Sequence, residues 1–413
     1  MTSLTATARS ERLPAYSLFA MILSGAGLPI YIYAPKFYAD NFGVSLTALG
    51  AVLFGLRLFD VVQDPVLGWL SERLGEARRL AVWIGATVLA VSMIGLFAIA
   101  PPIAPLLWFA LTITGLFSAF SFLSINFYAQ GVGKAESVRG SHMRLAAWRE
   151  TGALLGVCIA AVAPTLLADY VDQPFAIFAY SFAVITVLAA LAMLPEWRGS
   201  VTNEPSPIRE ILADKLARRL LILALVNAAP LAVSSTLFLF YVESRLNAPG
   251  MEGPLLVLFF LAAAASSPFW SWLAGKIGPR YALLSAMMLA IGSFAFVLTL
   301  GEGDITAFAI ICVLSGATIG ADLTLLPALF AKRMASVSPN GGQGFGLWSL
   351  VSKFTLAFAA AALLPILEAN GFSAGDANSD TALATLTYLY ALVPCALKLI
   401  AVALLAATPL EEG

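Results

Sequence analysis

The sequence predicts an all-α integral membrane protein whose twelve transmembrane helices form two six-helix repeats. Three observations carry that expectation. Of 413 residues, 60% are apolar and 11% are charged, with a mean hydropathy of +0.89; this is too apolar for a water-soluble globule and too long for a single span. Apolar windows of about 20 residues recur along the whole chain. Basic residues gather at alternate ends of those windows, as they do when one side of a membrane collects Lys and Arg.

In chain order, the first six windows are Tyr16–Tyr38, Leu46–Leu70, Leu80–Ala100, Leu106–Tyr128, Met143–Leu167 and Phe175–Leu194. The second six are Leu220–Tyr241, Pro254–Leu273, Tyr281–Leu300, Ile305–Phe330, Gly344–Leu367 and Thr381–Ala407. The expected organisation is a bundle over 1–194, a linker over 195–219 and a second bundle over 220–413. Within the linker, Ile208 to Leu216 has the spacing of a short interfacial amphipathic helix. With the N-terminus inside, only Lys36 and Arg245 fall on the outer side, whereas Arg73, Arg78, Arg79, Lys134, Lys276, Arg280, Lys332 and Arg333 all fall inside. Both termini are therefore expected on the cytoplasmic side of the inner membrane.

Composition also excludes functions. A net charge of −1 without a long basic run points to no nucleic-acid partner. Cys158, Cys312 and Cys395 lie in apolar segments without metal-ligand spacing and read as small core residues. The only histidine, His142, reads as a solvated loop residue before the fifth span. There is no Gly-x-x-x-x-Gly-Lys-Ser/Thr loop, no His cluster and no Ser-His pairing, so an enzyme and a resident cofactor are not expected.

The chemistry concentrates in the second span. Arg57, Asp60, Gln63 and Asp64 interrupt an otherwise apolar run, and positions 57, 60 and 64 leave a helix from one face. A charge at mid-bilayer costs roughly 2.5 to 3.5 kcal/mol on the lenient insertion scale, so that face must meet protein or a wet cavity. An Arg57 to Asp pair locking two helices would need only one acid. Two carboxylates a turn apart beside an amide form an oxygen-rich site for Na⁺, or by mutual repulsion hold one proton near neutral pH. The run from Asp64 to Gly75 aligns with Ser267 to Gly278, keeping Pro, Trp, Leu, a basic residue and Gly in step. The second and eighth spans are thus repeat mates, with Asp60 matched to Ala263 and Asp64 to Ser267, which confines the acids to the first half.

Gly68-Trp69-Leu70-Ser71-Glu72-Arg73-Leu74-Gly75 with Arg78-Arg79 is similar to the loop signature between spans two and three of the major facilitator superfamily. An acid and basic pair at that helix end would latch the two halves, and the glycines allow a tight turn. The upstream Arg57-x-x-Asp60-x-x-x-Asp64-Pro65-x-x-Gly68 resembles the glycoside-pentoside-hexuronide:cation symporter family of that superfamily, and the similarity runs over nearly the whole chain. The resemblance implies a major facilitator fold, with Asp60 and Asp64 as cation ligands. Gln63 replaces the family's Asn and Ser121 its Thr, both keeping an oxygen ligand. It further implies that Arg149 is the family's fifth-span arginine and Lys353 its eleventh-span lysine, able to neutralise an empty carboxylate pair until a cation displaces it. The family's two sugar-gripping acids fall at Ser24 and Ser124, and its fourth-span aromatic at Tyr128, so a galactoside-like cargo loses its bidentate acceptors.

Other positions read two ways. Asp322, about a turn before Pro327, is either a cavity acid for substrate or proton coupling, or a partner for Arg149 or Lys353. Glu150 is a local partner or a cavity acid. Lys398 reads as a snorkelling lysine. Tyr31, Tyr33, Tyr128, Trp148 and Trp348 offer stacking surfaces or helix packing. Pro29, Pro35, Pro65, Pro268 and Pro327 supply bends. The function expected is a monomeric secondary carrier in the lipid bilayer, coupling Na⁺ or H⁺ to symport of a small-molecule substrate such as a sugar or glycoside. A lysolipid or amphiphile carrier and a non-transporting sensor are the rivals.

Overall fold

The computed structural model describes residues 12–28, 33–135, 141–168, 170–197, 208–372 and 378–408. Its regular secondary structure there is helical throughout. The first half comprises α1 (Leu13–Leu28), α2 (Ala34–Phe42), α3 (Leu46–Arg73), α4 (Arg78–Phe97), α5 (Pro105–Ala135), α6 (Ser141–Ala168) and α7 (Pro174–Met193). After the short α8 (Ile208–Ala213) come α9 (Lys215–Phe240), α10 (Glu252–Ile277), α11 (Pro279–Ala295), α12 (Ile305–Val337), α13 (Gly342–Ala369) and α14 (Asp380–Ala406). Among the described residues, nine helices are long and apolar enough to cross a membrane. With α3 and α13, 28 residues each, and the α1–α2 segment, they make the twelve expected spans.

The first expected span is described as α1 and α2, and Pro29 and Tyr31, which stand between them, lie outside the described residues. The linker carries the short helix α8, which ends at Ala213 because Asp214 caps α9 by accepting the Ala217 N–H at 2.7 Å. Each half has its own core. One cluster, built around Tyr16, Tyr38, Leu89 and Phe109, lies wholly within residues 13–197. Two others, around Leu223, Met287 and Phe330 and around Tyr241, Phe308 and Tyr390, are built from the second half, the former joined by Val132 of α5.

The halves meet along two seams. At the first, α3 crosses α13 with almost no side chain between them: a Cβ on Gly68 would sit 2.7 Å from the Gly342 carbonyl oxygen, so only glycine fits. At the second, α6 lies against α10, where Leu154 packs with Ala263 and Ala264. Small residues at both seams let the backbones approach, the usual solution where lipid offers no hydrophobic drive.

Candidate functional site

The close crossing at Gly68 brings the acids of α3 under α13. Asp60 and Asp64 are buried, at 2% and 0% exposure, and both reach the Lys353 ammonium, at 3.3 and 2.9 Å. That ammonium also donates to the Ser121 hydroxyl of α5 at 2.7 Å, and the Ser349 hydroxyl donates to Asp64 at 2.6 Å. Gln63 is buried on the same helix and accepts from the Ser118 hydroxyl at 3.2 Å. Four of the positions singled out in sequence, 60, 64, 121 and 353, thus form one cluster, with the lysine supplied by the opposite half, while Gln63 is bonded to Ser118. Arg57 lies in α3, but its side chain is outside the described residues. Lys353 and Ser349 line a central cavity of about 300 Å³, and the carboxylates lie behind them.

Toward the end of the same seam, Glu72 is 1% exposed and accepts the Gln343 backbone N–H at 2.8 Å. A carboxylate of one half therefore caps the first turn of α13 in the other, where the orphan N–H groups and the positive helix end favour an anion. Of the basic residues in that signature, Arg73 is exposed and lies over the Trp69 ring at 4.1 Å, whereas Arg78 is buried and donates to the Ser71 carbonyl beside Glu72 at 3.1 Å. Gly75 turns the chain at φ +48.

The cavity is walled by both halves. Ser124 and Tyr128 of α5 and Glu150 of α6 face Asn227, Asp322 and Trp348 of the second half. Arg149 donates to Glu150 at 2.8 Å and its guanidinium lies 3.8 Å over the Tyr128 ring, whose hydroxyl donates to Glu150 at 3.0 Å. Glu150 is thus at once a local partner and a cavity acid. Asp322 pairs with neither Arg149 nor Lys353. Its partner is Lys398, which also donates to the Asn227 side-chain oxygen at 2.7 Å. Lys398 therefore does not snorkel; it is 5% exposed, held inward by an acid and an amide on α12 and α9.

Three further expectations are corrected. Ser24 is not on the cavity wall, because α1 lies against α6 with Gly25 beside Gly156, which turns this stretch into a helix contact. Trp148 lies outside the central cavity, 41% exposed on a second cavity between α6 and α10, since Arg149 and Glu150 take the inward face of that turn. His142 is half-buried within the first turn of α6 rather than in a solvated loop. Tyr33 donates its hydroxyl to the Ala161 carbonyl and so serves α6 packing. The three cysteines are free, with Cys158 and Cys312 buried. Asn227 escaped sequence reading, as a lone amide in an apolar span. Its signal is positional: Asn227, Asp322 and Lys398 each stand near a proline of their own helix, Pro230, Pro327 and Pro394.

Two bundles of membrane-spanning helices around a central cavity, with buried charge shared across the halves, define a multi-pass membrane carrier of the major facilitator type. The chain belongs to the MFS/sugar transport protein family, whose model matches residues 15–412. A curated relative, the glucuronide carrier protein homolog of Escherichia coli (strain K12), is 21% identical over 406 residues, covering 92% of this chain and 88% of that protein. This bears out the resemblance drawn from α3. A probable nitrate/nitrite antiporter, NarK1 of Thermus thermophilus, is 35% identical over 85 residues, only 20% of this chain and 19% of its own. Among solved structures, a bacterial homologue of the iron transporter ferroportin superposes with a TM-score of 0.70 at 14% identity, over 96% of this chain and 98% of that one. The human organic anion transporter MFSD10 gives 0.63 at 18% identity, over 95% and 100%. Both share the fold.

Proposed function

We propose that the protein is a cation-coupled secondary carrier that moves a small organic solute, such as a sugar or its acid, by alternating access. The observation that supports this most is the single ammonium of Lys353, shared by two buried carboxylates of the opposite half. Without a coupling ion the lysine neutralises the acids and ties α13 to α3. An entering Na⁺ or H⁺ takes its place on the carboxylates, which removes one cross-half tie and leaves the ammonium at the cavity wall beside the cargo. A ligand shifts such an equilibrium only by its differential affinity for the two states, and charge exchange at a buried site supplies that difference. Asp60, Asp64, Gln63 and Ser121 are the cation ligands in this scheme. Ser124, Tyr128, Asp322 and Trp348 face the cargo, and Glu72 with Gly68 closes the cytoplasmic end. The cavity of about 300 Å³ suits a solute of monosaccharide size, and the relative named for a glucuronide carrier favours a sugar-derived cargo. The protein works in the inner membrane with both termini cytoplasmic.

The test is thermal unfolding of the purified protein against a panel of sugars, glycosides and sugar acids, with and without Na⁺ and across pH. Proteoliposome uptake of the stabilising compound follows. One cation and one solute should each raise the melting temperature, and together more than additively. Stabilisation by a solute that ignores both Na⁺ and pH would refute coupling.

A further inference from the structure

Beyond the central cavity, a second and larger space opens between α6 and α10, with a volume of about 1170 Å³. These two helices come from opposite halves. They touch where Leu154 meets Ala263 and Ala264, and Cys158 approaches the Val257 carbonyl at 4.0 Å. Toward the other end they diverge around this space. Its walls are largely apolar, with Trp148 and Trp272 exposed at 41% and 58% along the opening. At its far end, where α10 passes into α11, stand Arg144, Lys276, Arg280 and Lys332, and among the described residues lining the space there is no carboxylate.

We infer that this wedge is a binding site for an anionic phospholipid of the surrounding leaflet, which holds α6 and α10 apart at that end. Charge and shape argue for this occupant. The four cations sit at span ends, at headgroup depth, and a phosphate is the anion found there. A free small anion would leave most of the apolar wall empty, whereas acyl chains entering between two spans cover it. Basic pockets between transmembrane helices bind anionic headgroups for this reason, each Lys or Arg adding attraction at the surface. The two indole rings offer amphipathic surfaces at the same depth. A lipid seated in the wedge favours the separation of α6 and α10 seen here over any arrangement in which they close on each other. The inference is independent of the coupling ion, and fixed Na⁺ and pH separate it from the proposed transport scheme.

The experiment uses the full-length protein in nanodiscs of phosphatidylcholine with or without phosphatidylglycerol. Phosphatidylglycerol should raise the melting temperature, and its apparent affinity should fall roughly tenfold or more in Lys276→Gln with Arg280→Gln. Equal stabilisation by the two lipids, or a preference unchanged in the double variant, overturns the proposal. A second measurement does not depend on that variant folding. Brominated phosphatidylglycerol should quench tryptophan emission more than brominated phosphatidylcholine, and Trp148→Phe with Trp272→Phe should remove the excess. Equal quenching by both lipids overturns the site. Translocation of the labelled lipid to the opposite leaflet would make it cargo and overturn the retained ligand proposed here.

Discussion

α3 and α10 are repeat mates that solve the same structural problem with different chemistry. Both carry a proline at the matched position, Pro65 and Pro268, and both reach the opposite half. Where α3 has Asp60 and Asp64, α10 has Ala263 and Ser267, both fully buried, with the Ser267 hydroxyl returning to the Ala263 carbonyl at 3.0 Å. α10 thus packs, bends and crosses between the halves without a charge. The acids of α3 are therefore not needed for any of those tasks. They are an addition to a span that would fold without them, and buried ion pairs are weak contributors to net stability. The repeat provides an internal control that separates architecture from ion chemistry.

The strongest way to break the comparison is to make α3 resemble α10. Asp60→Ala with Asp64→Ser should abolish stabilisation by the coupling cation, which for a site at a hundredfold excess over its dissociation constant is about 2.7 kcal/mol. It should also leave Lys353, part-buried at the cavity wall, with only the Ser121 hydroxyl as partner, at a further cost below the roughly 3–5 kcal/mol of breaking a fully buried pair. Adding Lys353→Met should recover most of that second loss and none of the first. Thermal unfolding with and without Na⁺ at several pH values checks both. A triple variant that still responds to the cation would show that the ion binds elsewhere.

The second-half pair sharpens the same contrast. Asp322 and Lys398 lie within one half, balanced one to one, so they make no tie that must break as the halves move. Lys398→Met should destabilise the fold by about 3 kcal/mol, by leaving a buried carboxylate beside Asn227. Adding Asp322→Asn should return most of it while cation-dependent stabilisation stays at its original level. If Lys398→Met instead erased the cation response, the two clusters would be one coupled network rather than two.

How legible each region was follows from the cost of its residues. Asp60 and Asp64 stood out because charges at the middle of an apolar span demand an explanation from the sequence alone. The span boundaries were legible for the complementary reason, since uninterrupted apolar length is itself the signal. Lys398 was not, because a lysine near a helix end has a cheap local alternative in snorkelling, and only the fold brings Asp322 and Asn227 to it from 76 and 171 residues away. Glu72 was legible as a latch but not in its partner: a backbone N–H carries no side-chain signature, so the α13 terminus was invisible until α3 and α13 were seen to touch.

Crossing geometry predicts a smaller effect. A side chain at Gly342 would meet the Glu72 Cγ and the Gly68 carbonyl oxygen, each 2.7 Å from its Cβ. Gly342→Val should therefore cost about 1–3 kcal/mol, as overpacking does, and weaken closure of this seam. Gly253→Ala on α10, which meets open space, should be close to neutral. Equal effects from the two substitutions would mean that the α3–α13 approach relaxes without cost.

The smallest expected effect lies outside the spans, where Asp214 binds Arg333 at 3.0 and 2.5 Å while capping α9. The hydrogen bonds from Arg333 hold the Asp214 carboxyl below its usual range. Its contribution is therefore present at and above the ordinary carboxylate range and is lost as pH falls through the lowered value. Because the pair is partly exposed, Asp214→Asn should cost only about 0.5–1 kcal/mol at neutral pH. Asparagine keeps the cap and loses the charge, so the deficit should shrink in acid, where the parent carboxylate is itself protonated. A deficit that stays constant down the whole acid limb would assign the contribution to capping geometry instead of to the ion pair, and would make this contact, like the α10 seam, one that works without charge.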